Sequence, residues 1–151
     1  MEKTFSSIAP ESIERFPSRR IINFDIRLAT EEEIKDKWIS SGNEGDEPTE
    51  YFISNHKWVY YQITLSTARW YYTGVVEAIV RAKYSTDEME AITNNMNASV
   101  GSFFNALVSD GIVGAIKYLK DSANEDNTIA FREMQEWRAK AKAWAREVFK
   151  K

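Results

Sequence analysis

Apolar residues alternate with a period of two in only two stretches of this sequence, and beyond residue 67 the apolar pattern is helical. In RIINFDIRLA, Ile22, Phe24, Ile26 and Leu28 point one way while Asn23, Asp25 and Arg27 point the other. In KWVYYQITL, Val59, Tyr61, Ile63 and Leu65 share a face opposite Trp58, Tyr60, Gln62 and Thr64. Alternation among β-branched and aromatic residues marks half-buried strands. The pattern predicts an α+β fold: a small antiparallel sheet, with strands near 20–28 and 57–65, followed by a helical C-terminal two-thirds. Two strands alone are marginal in water. They must pack on the helices, gain strands from the preceding residues, or pair with the edge of another molecule.

Residues 1–19 have no sustained period, and Pro10 and Pro17 interrupt them, so they read as an extended arm. Residues 20–151 then form a single α+β domain. Thr30-Glu31-Glu32-Glu33 is a capping box that opens a short helix through Trp38 and Ile39. Ser40 to Thr49 is an acidic loop broken by Gly42, Gly45 and Pro48. From Thr67 to Lys83, Tyr72, Val76, Ile79 and Val80 recur at helical spacing, with Val75 widening the stripe. Ser85-Thr86-Asp87-Glu88 is a second capping box, and Met89, Ile92 and Met96 begin a stripe that Val100, Phe103, Phe104, Leu107 and Val108 continue. Asp110-Gly111 breaks it, and Ile112, Val113, Ile116 and Leu119 give one more short helix. Asp121 to Asn127 reads as a linker or cap. The closing helix carries Ala130, Met134, Trp137, Ala141, Trp144 and Val148.

Composition excludes several function classes. The chain of 151 residues has no cysteine, hence no disulfide framework, thiolate metal site or thiol nucleophile. His56 is the only histidine, too few for an imidazole metal site, and reads as a surface or satisfied polar residue. No HExxH, GxSxG, GxGxxG or phosphate-loop pattern occurs. Asp25 and Glu77 are a carboxylate pair that could meet across a cleft as in a two-carboxylate hydrolase, but many arrangements place two acids so without catalysis. The sequence thus predicts no enzyme, and no catalytic, cofactor-binding or metal-ligating residue. No uninterrupted apolar run approaches the roughly 20 residues of a bilayer span, and the N-terminus lacks a signal-peptide core, so neither membrane contact nor secretion is expected.

The densest feature is aromatic: Trp58, Tyr60, Tyr61, Trp70, Tyr71 and Tyr72. Such a cluster suits a core, a protein interface or a stacking platform for bases, with Lys57 and Arg69 on phosphate. Net charge is −3, and the last twenty residues, with seven bases and three acids, sum to +4. Their Glu133, Glu136 and Glu147 interleave with the bases, which suits pairing along a helix better than a phosphate track. Protein partners are therefore expected, by self-association or incorporation into a larger assembly, with no nucleic acid and no identifiable small-molecule ligand. The candidate interface residues are Phe5, Ile8, Ile13 and Phe16 of the arm, and Trp58, Tyr60, Trp70 and Tyr71 of the aromatic cluster.

Two motifs carry a resemblance. Lys83, Tyr84, Ser85, Asp87, Ala91, Ile92 and Asn94 form one element, and Phe131, Gln135, Trp137, Arg138, Ala141 and Lys142 form the other. Over residues 75–150 the chain resembles small helical proteins from the structural-gene clusters of phages and prophages of gut bacteria. The resemblance implies a phage structural or assembly protein, in the virion or the host cytoplasm, and supplies no active residues. The alternative is a small phage-encoded protein that binds and inhibits a host factor such as a defence system, with the acidic loop as its contact.

Overall fold

The computed structural model describes residues 1–45, 47–119 and 122–150. Strands β1 (Thr4–Ser6), β2 (Ile13–Arg15) and β3 (Arg19–Leu28) precede helices α1 (Glu31–Ser40) and α2 (Glu50–Asn55). Strand β4 (Trp58–Ser66), a 3-10 turn (Thr67–Arg69) and helices α3 (Tyr72–Lys83), α4 (Thr86–Leu119) and α5 (Ser122–Lys150) follow. The fold is α+β, with one antiparallel sheet in the order β1-β4-β3-β2. The chain divides into two compact units. One is residues 1–78 with the end of α5 from Arg146, and the other is residues 79–145.

In the first unit, the arm provides the sheet's two outer strands. Phe5 pairs with Val59 and Ile13 with Ile22, so both arm residues join the face that carries Ile22, Phe24, Val59 and Leu65. Those four are 0–5% exposed. The ladder runs regularly from Arg19↔Ser66 to Phe24↔Tyr61, then resumes at Arg27↔Val59. Two residues, Asp25 and Ile26, thus oppose Tyr60 alone. Asp25 takes the left-handed φ of 54° that this bulge needs, which Asp adopts more readily than most residues. One extra residue reverses the alternation beyond it. Arg27 therefore falls on the face predicted for Ile26 and Leu28, and Leu28 is 57% exposed, which corrects the uniform alternation expected over 22–28.

On the opposite face Asn23 is buried at 2% exposure. Its Nδ2 donates to the Glu11 carbonyl (2.8 Å) and to Glu14 Oε1 (2.9 Å), and its Oδ1 accepts from Gln62 Nε2 (3.0 Å). The Asn23 backbone N–H donates to the Ser12 carbonyl at 3.1 Å. Neighbours from β2, β4 and the loop before β2 thus satisfy the side chain, and the arm's return is fixed at one residue.

Glu33 ties α1 to the sheet. The Thr30 capping box is formed in full. The Glu33 carboxylate also accepts from Arg27 at 2.6 and 2.7 Å and from Lys3 at 2.7 Å. The Arg27 guanidinium, then Lys3 and the Thr30 backbone N–H, hold its carboxyl well below the usual carboxylate range. Trp38 Nε1 donates to the Gly45 carbonyl (2.9 Å), and its ring meets Phe52 edge-on at 5.0 Å. Phe52 in turn stacks on His56 at 3.8 Å. Phe52 belongs to α2, which lies in a stretch with no sustained apolar period. Its sequence signal is Thr49, whose side chain accepts from the Phe52 N–H, and six residues are too few to show a helical period.

The second unit is helical. Ser85 and Glu88 form the reciprocal cap at the start of α4, with bonds of 2.7 and 3.2 Å. Gly111 breaks α4 at φ 66° and ψ −156°, a conformation close to glycine-only backbone, so two half-helices meet where Asp110-Gly111 predicts a stop. α5 begins at Ser122, so 122–127 is helical rather than a linker, while Asp121 lies outside the described residues. Glu125 sits in its first turn, where an acid favours the positive helix end. Asn127 Nδ2 donates to Ser99 Oγ at 3.1 Å, joining α5 to α4. Met134, Trp137, Ala141 and Ala145 are buried along α5. Trp137 Nε1 donates to the Ile79 carbonyl at 3.2 Å, Trp144 meets Trp137 edge-on at 5.4 Å, and Lys83 Nζ lies 4.8 Å from the Trp137 ring centre.

Glu33→Gln removes a half-buried charge-assisted node and costs about 1–2 kcal/mol at pH 7 by urea unfolding. Because the folded-state pKa of Glu33 is depressed, this contribution is present above the ordinary carboxylate pKa of about 4.3 and fades as pH falls below it. The gap between variant and parent therefore narrows as pH falls below about 5. Trp137→Ala opens a cavity in the helical unit and costs about 3–5 kcal/mol, read as a lowered urea midpoint. A variant that unfolds like the parent overturns either assignment.

Candidate interaction surface

Charged and aromatic side chains that resemble chemistry in the sequence are occupied in structural work. His56 Nδ1 lies 2.8 Å from the Phe52 carbonyl, under the stacked Phe52 ring. Glu77 faces Arg69 at 3.8 Å, and Asp25 forms the sheet bulge. Among the described residues, no group of three or more His, Asp or Glu side chains could hold a metal ion. In the acidic loop, Glu47 pairs with Lys35 at 3.1 Å, and Asp46 falls outside the described residues.

The eight candidate interface residues do not converge on one surface. Ile13 (9% exposed) and Tyr60 (8%) are core residues of the first unit. Phe5, Trp58 and Trp70 are half-buried: Phe5 lies 5.7 Å from His56, and Trp70 lies 5.4 Å from Phe149 at the end of α5. Ile8, Phe16 and Tyr71 are exposed. Arg19 covers the Phe16 ring at 4.9 Å. The aromatic run is likewise divided by the pleat. Trp58 and Tyr60 belong to one sheet face and Tyr61 to the other, so the three rings do not make one stacking platform.

Exposed apolar residues instead concentrate on α4. Val100, Phe104 and Val108 follow one another at four-residue spacing on its first half, at 40–86% exposure. Ile112, Val113, Ile116 and Leu119 stand 48–79% exposed on the second half. Apolar residues occupy more of the circumference of α4 than α5 covers, so only part of them is buried. Beside them opens a cleft of about 770 Å³ whose border is apolar at Met96, Val100, Phe103 and Ile129 and charged at Glu125 and Arg132. Single exposed apolar side chains are ordinary, whereas seven on one helix single it out as the candidate surface.

Charge sets this helix apart as well. From Ala91 to Ile116 it carries Asp110 and no other charged residue. An 18-residue window of α4 reaches a mean hydropathy of 1.3, long and apolar enough to cross a membrane by length and composition alone. A search for uninterrupted apolar runs misses it, because Asn and Ser are spaced among the apolar residues. Periodicity exposes the stripe but does not say whether the chain's own helices or another molecule cover it.

No family model, curated protein or solved structure matches the chain.

A surface residue can change polarity at little cost, whereas a core residue cannot. Val108→Glu, at a site 86% exposed, should shift stability by no more than about 0.5 kcal/mol in dilute urea unfolding. A loss of several kcal/mol would return Val108 to a core.

Proposed function

We infer that this chain is a non-enzymatic phage structural or assembly protein that acts through protein–protein contacts, in the virion or in the host cytoplasm. The observation that carries this reading is the exposed, almost uncharged apolar surface of α4. Interface cores are depleted in charge, and the exposed face of α4 shares that property, with Phe104 as an aromatic ring among its aliphatic residues. The resemblance over residues 75–150 supplies the phage setting. Its residues serve the scaffold here: Ser85 caps α4, Trp137 and Ala141 are buried, and Lys83 of the first element lies over Trp137 of the second. Nothing in that arrangement needs a cofactor.

The test is cross-linking mass spectrometry on assembling and mature particles of a phage that encodes the chain, with the full-length protein. Cross-links from α4 to capsid, portal or tail components are the expected result. Phe104→Glu combined with Val108→Glu should lower incorporation at least tenfold while the purified variant stays folded. Exclusive cross-linking to a host defence protein, or incorporation unaffected by both charges, would overturn the reading.

A further inference from the structure

The helical unit carries two unsatisfied apolar features, one convex and one concave. The convex feature is the half-helix after Gly111, where Ile112, Val113 and Ile116 stand 48–79% exposed. The concave feature is the 770 Å³ cleft, mostly apolar, bordered by Met96, Val100 and Phe103 of the first half-helix with Tyr118 and Ile129, and carrying Glu125 and Arg132 on its border as well. Tyr118 belongs to the same half-helix as the convex residues. One side of that half-helix thus borders the cleft of its own chain while Ile112, Val113 and Ile116 remain uncovered.

We propose that the partner of this surface is a second copy of the chain. The half-helix Ile112–Leu119 of each copy seats Ile112, Val113 and Ile116 in the other copy's cleft. The inference deepens the protein-contact reading above and rests on it.

Three observations favour this occupant. The first is area. The exposed residues that meet in this arrangement, Ile112, Val113 and Ile116 of the knob with Val100 and Leu119 of the cleft, together equal about three fully exposed large apolar residues. At roughly 150 Å² each, that is on the order of 450 Å² of apolar area per copy. A stable interface uses about 800 Å² per partner. The second is charge. Apposed identical segments repel when they carry charge of one sign; Ala91–Ile116 holds only Asp110, and the two charged residues on the cleft border, Glu125 and Arg132, are of opposite sign. The third is reciprocity. Knob and cleft on one chain satisfy each other twice in a two-fold pair, and such isologous contacts close.

A lipid surface fits less well. Interfacial helices carry Lys and Arg on the polar face, whereas α4 offers Lys117 alone and an acidic first turn.

The experiment is sedimentation velocity of the full chain from 1 to 100 μM (roughly the range in which such an interface is half-occupied). The parent should move towards twice the 17.5 kDa mass of one chain as concentration rises. Val113→Glu blocks the knob and Val100→Trp fills the cleft, and each should weaken self-association at least tenfold while leaving the helical circular dichroism unchanged. Mixed together, the two variants retain one intact knob-and-cleft contact. They should form a heterodimer, detectable by energy transfer between labels, that neither variant forms with itself.

A chain that stays monomeric at 100 μM, or a pair indifferent to both substitutions, overturns the proposal. So does a mixture that fails to restore association. Monomeric chain that floats with phosphatidylcholine or phosphatidylserine vesicles, and loses this with Val113→Glu, would assign the surface to lipid and also overturn it. A monomer that still enters phage assemblies defeats the self-pairing and leaves the assembly reading standing. A dimer that never enters one does the reverse.

Discussion

The ladder between β3 and β4 sets the geometry of the first unit, and the bulge at Asp25 sets the geometry of the ladder. Before it, the even-numbered residues Ile22 and Phe24 face Ile63 and Tyr61, while Asn23 pairs with Gln62 on the other side. After it, Arg27 takes the even residues' face. This brings the guanidinium within 2.7 Å of Glu33, the residue that also completes the cap of α1. A regular strand would put Ile26 there and leave the Glu33 carboxylate without its strongest partner. The bulge thus exchanges an apolar contact for an ionic anchor between strand and helix.

Two further constraints follow from the sheet's small size. Its long strands need outer partners, and the arm supplies both of them as three-residue strands. Short edge strands leave little backbone open to unintended pairing. The return from β2 to β3 is fastened by Asn23, because a buried amide is tolerated only when its donor and acceptor are both met. Across the sheet, the sequence Trp38, Phe52, His56 and Phe5 forms a run of ring contacts. The lone histidine belongs to that packing, with Nδ1 turned to a backbone carbonyl.

The helical unit is organised differently. α5 buries Met134, Trp137 and Ala141 along one stripe, which the alternating three- and four-residue spacing makes legible in the sequence. α4 has apolar residues at too many angles for one neighbour to cover. Gly111 turns its second half away from a straight continuation, and Cβ atoms could not be added at Gly114 without meeting Asp110 Cβ at 2.4 Å. The break and the uncovered residues are therefore features of the same stretch. The contact surface proposed for this stretch rests on what the helix leaves unburied rather than on any reactive group.

Both capping boxes, the two long strands, the stop at Asp110-Gly111 and the apolar stripe of α5 were readable from the chain, since each depends on neighbours within about one helical turn, on helical spacing or on alternation. Tertiary structure alone decided the rest. The bulge arises because Asp25 accepts a left-handed conformation, and no local pattern announces it. Ile13 and Tyr60 look like free aromatic and apolar contacts until the sheet closes around them. Val108 and Met134 are both stripe residues in the sequence, yet one is 86% and the other 1% exposed. Periodicity records which face of a helix is apolar, whereas burial depends on what lies opposite, and that is a property of the packed chain.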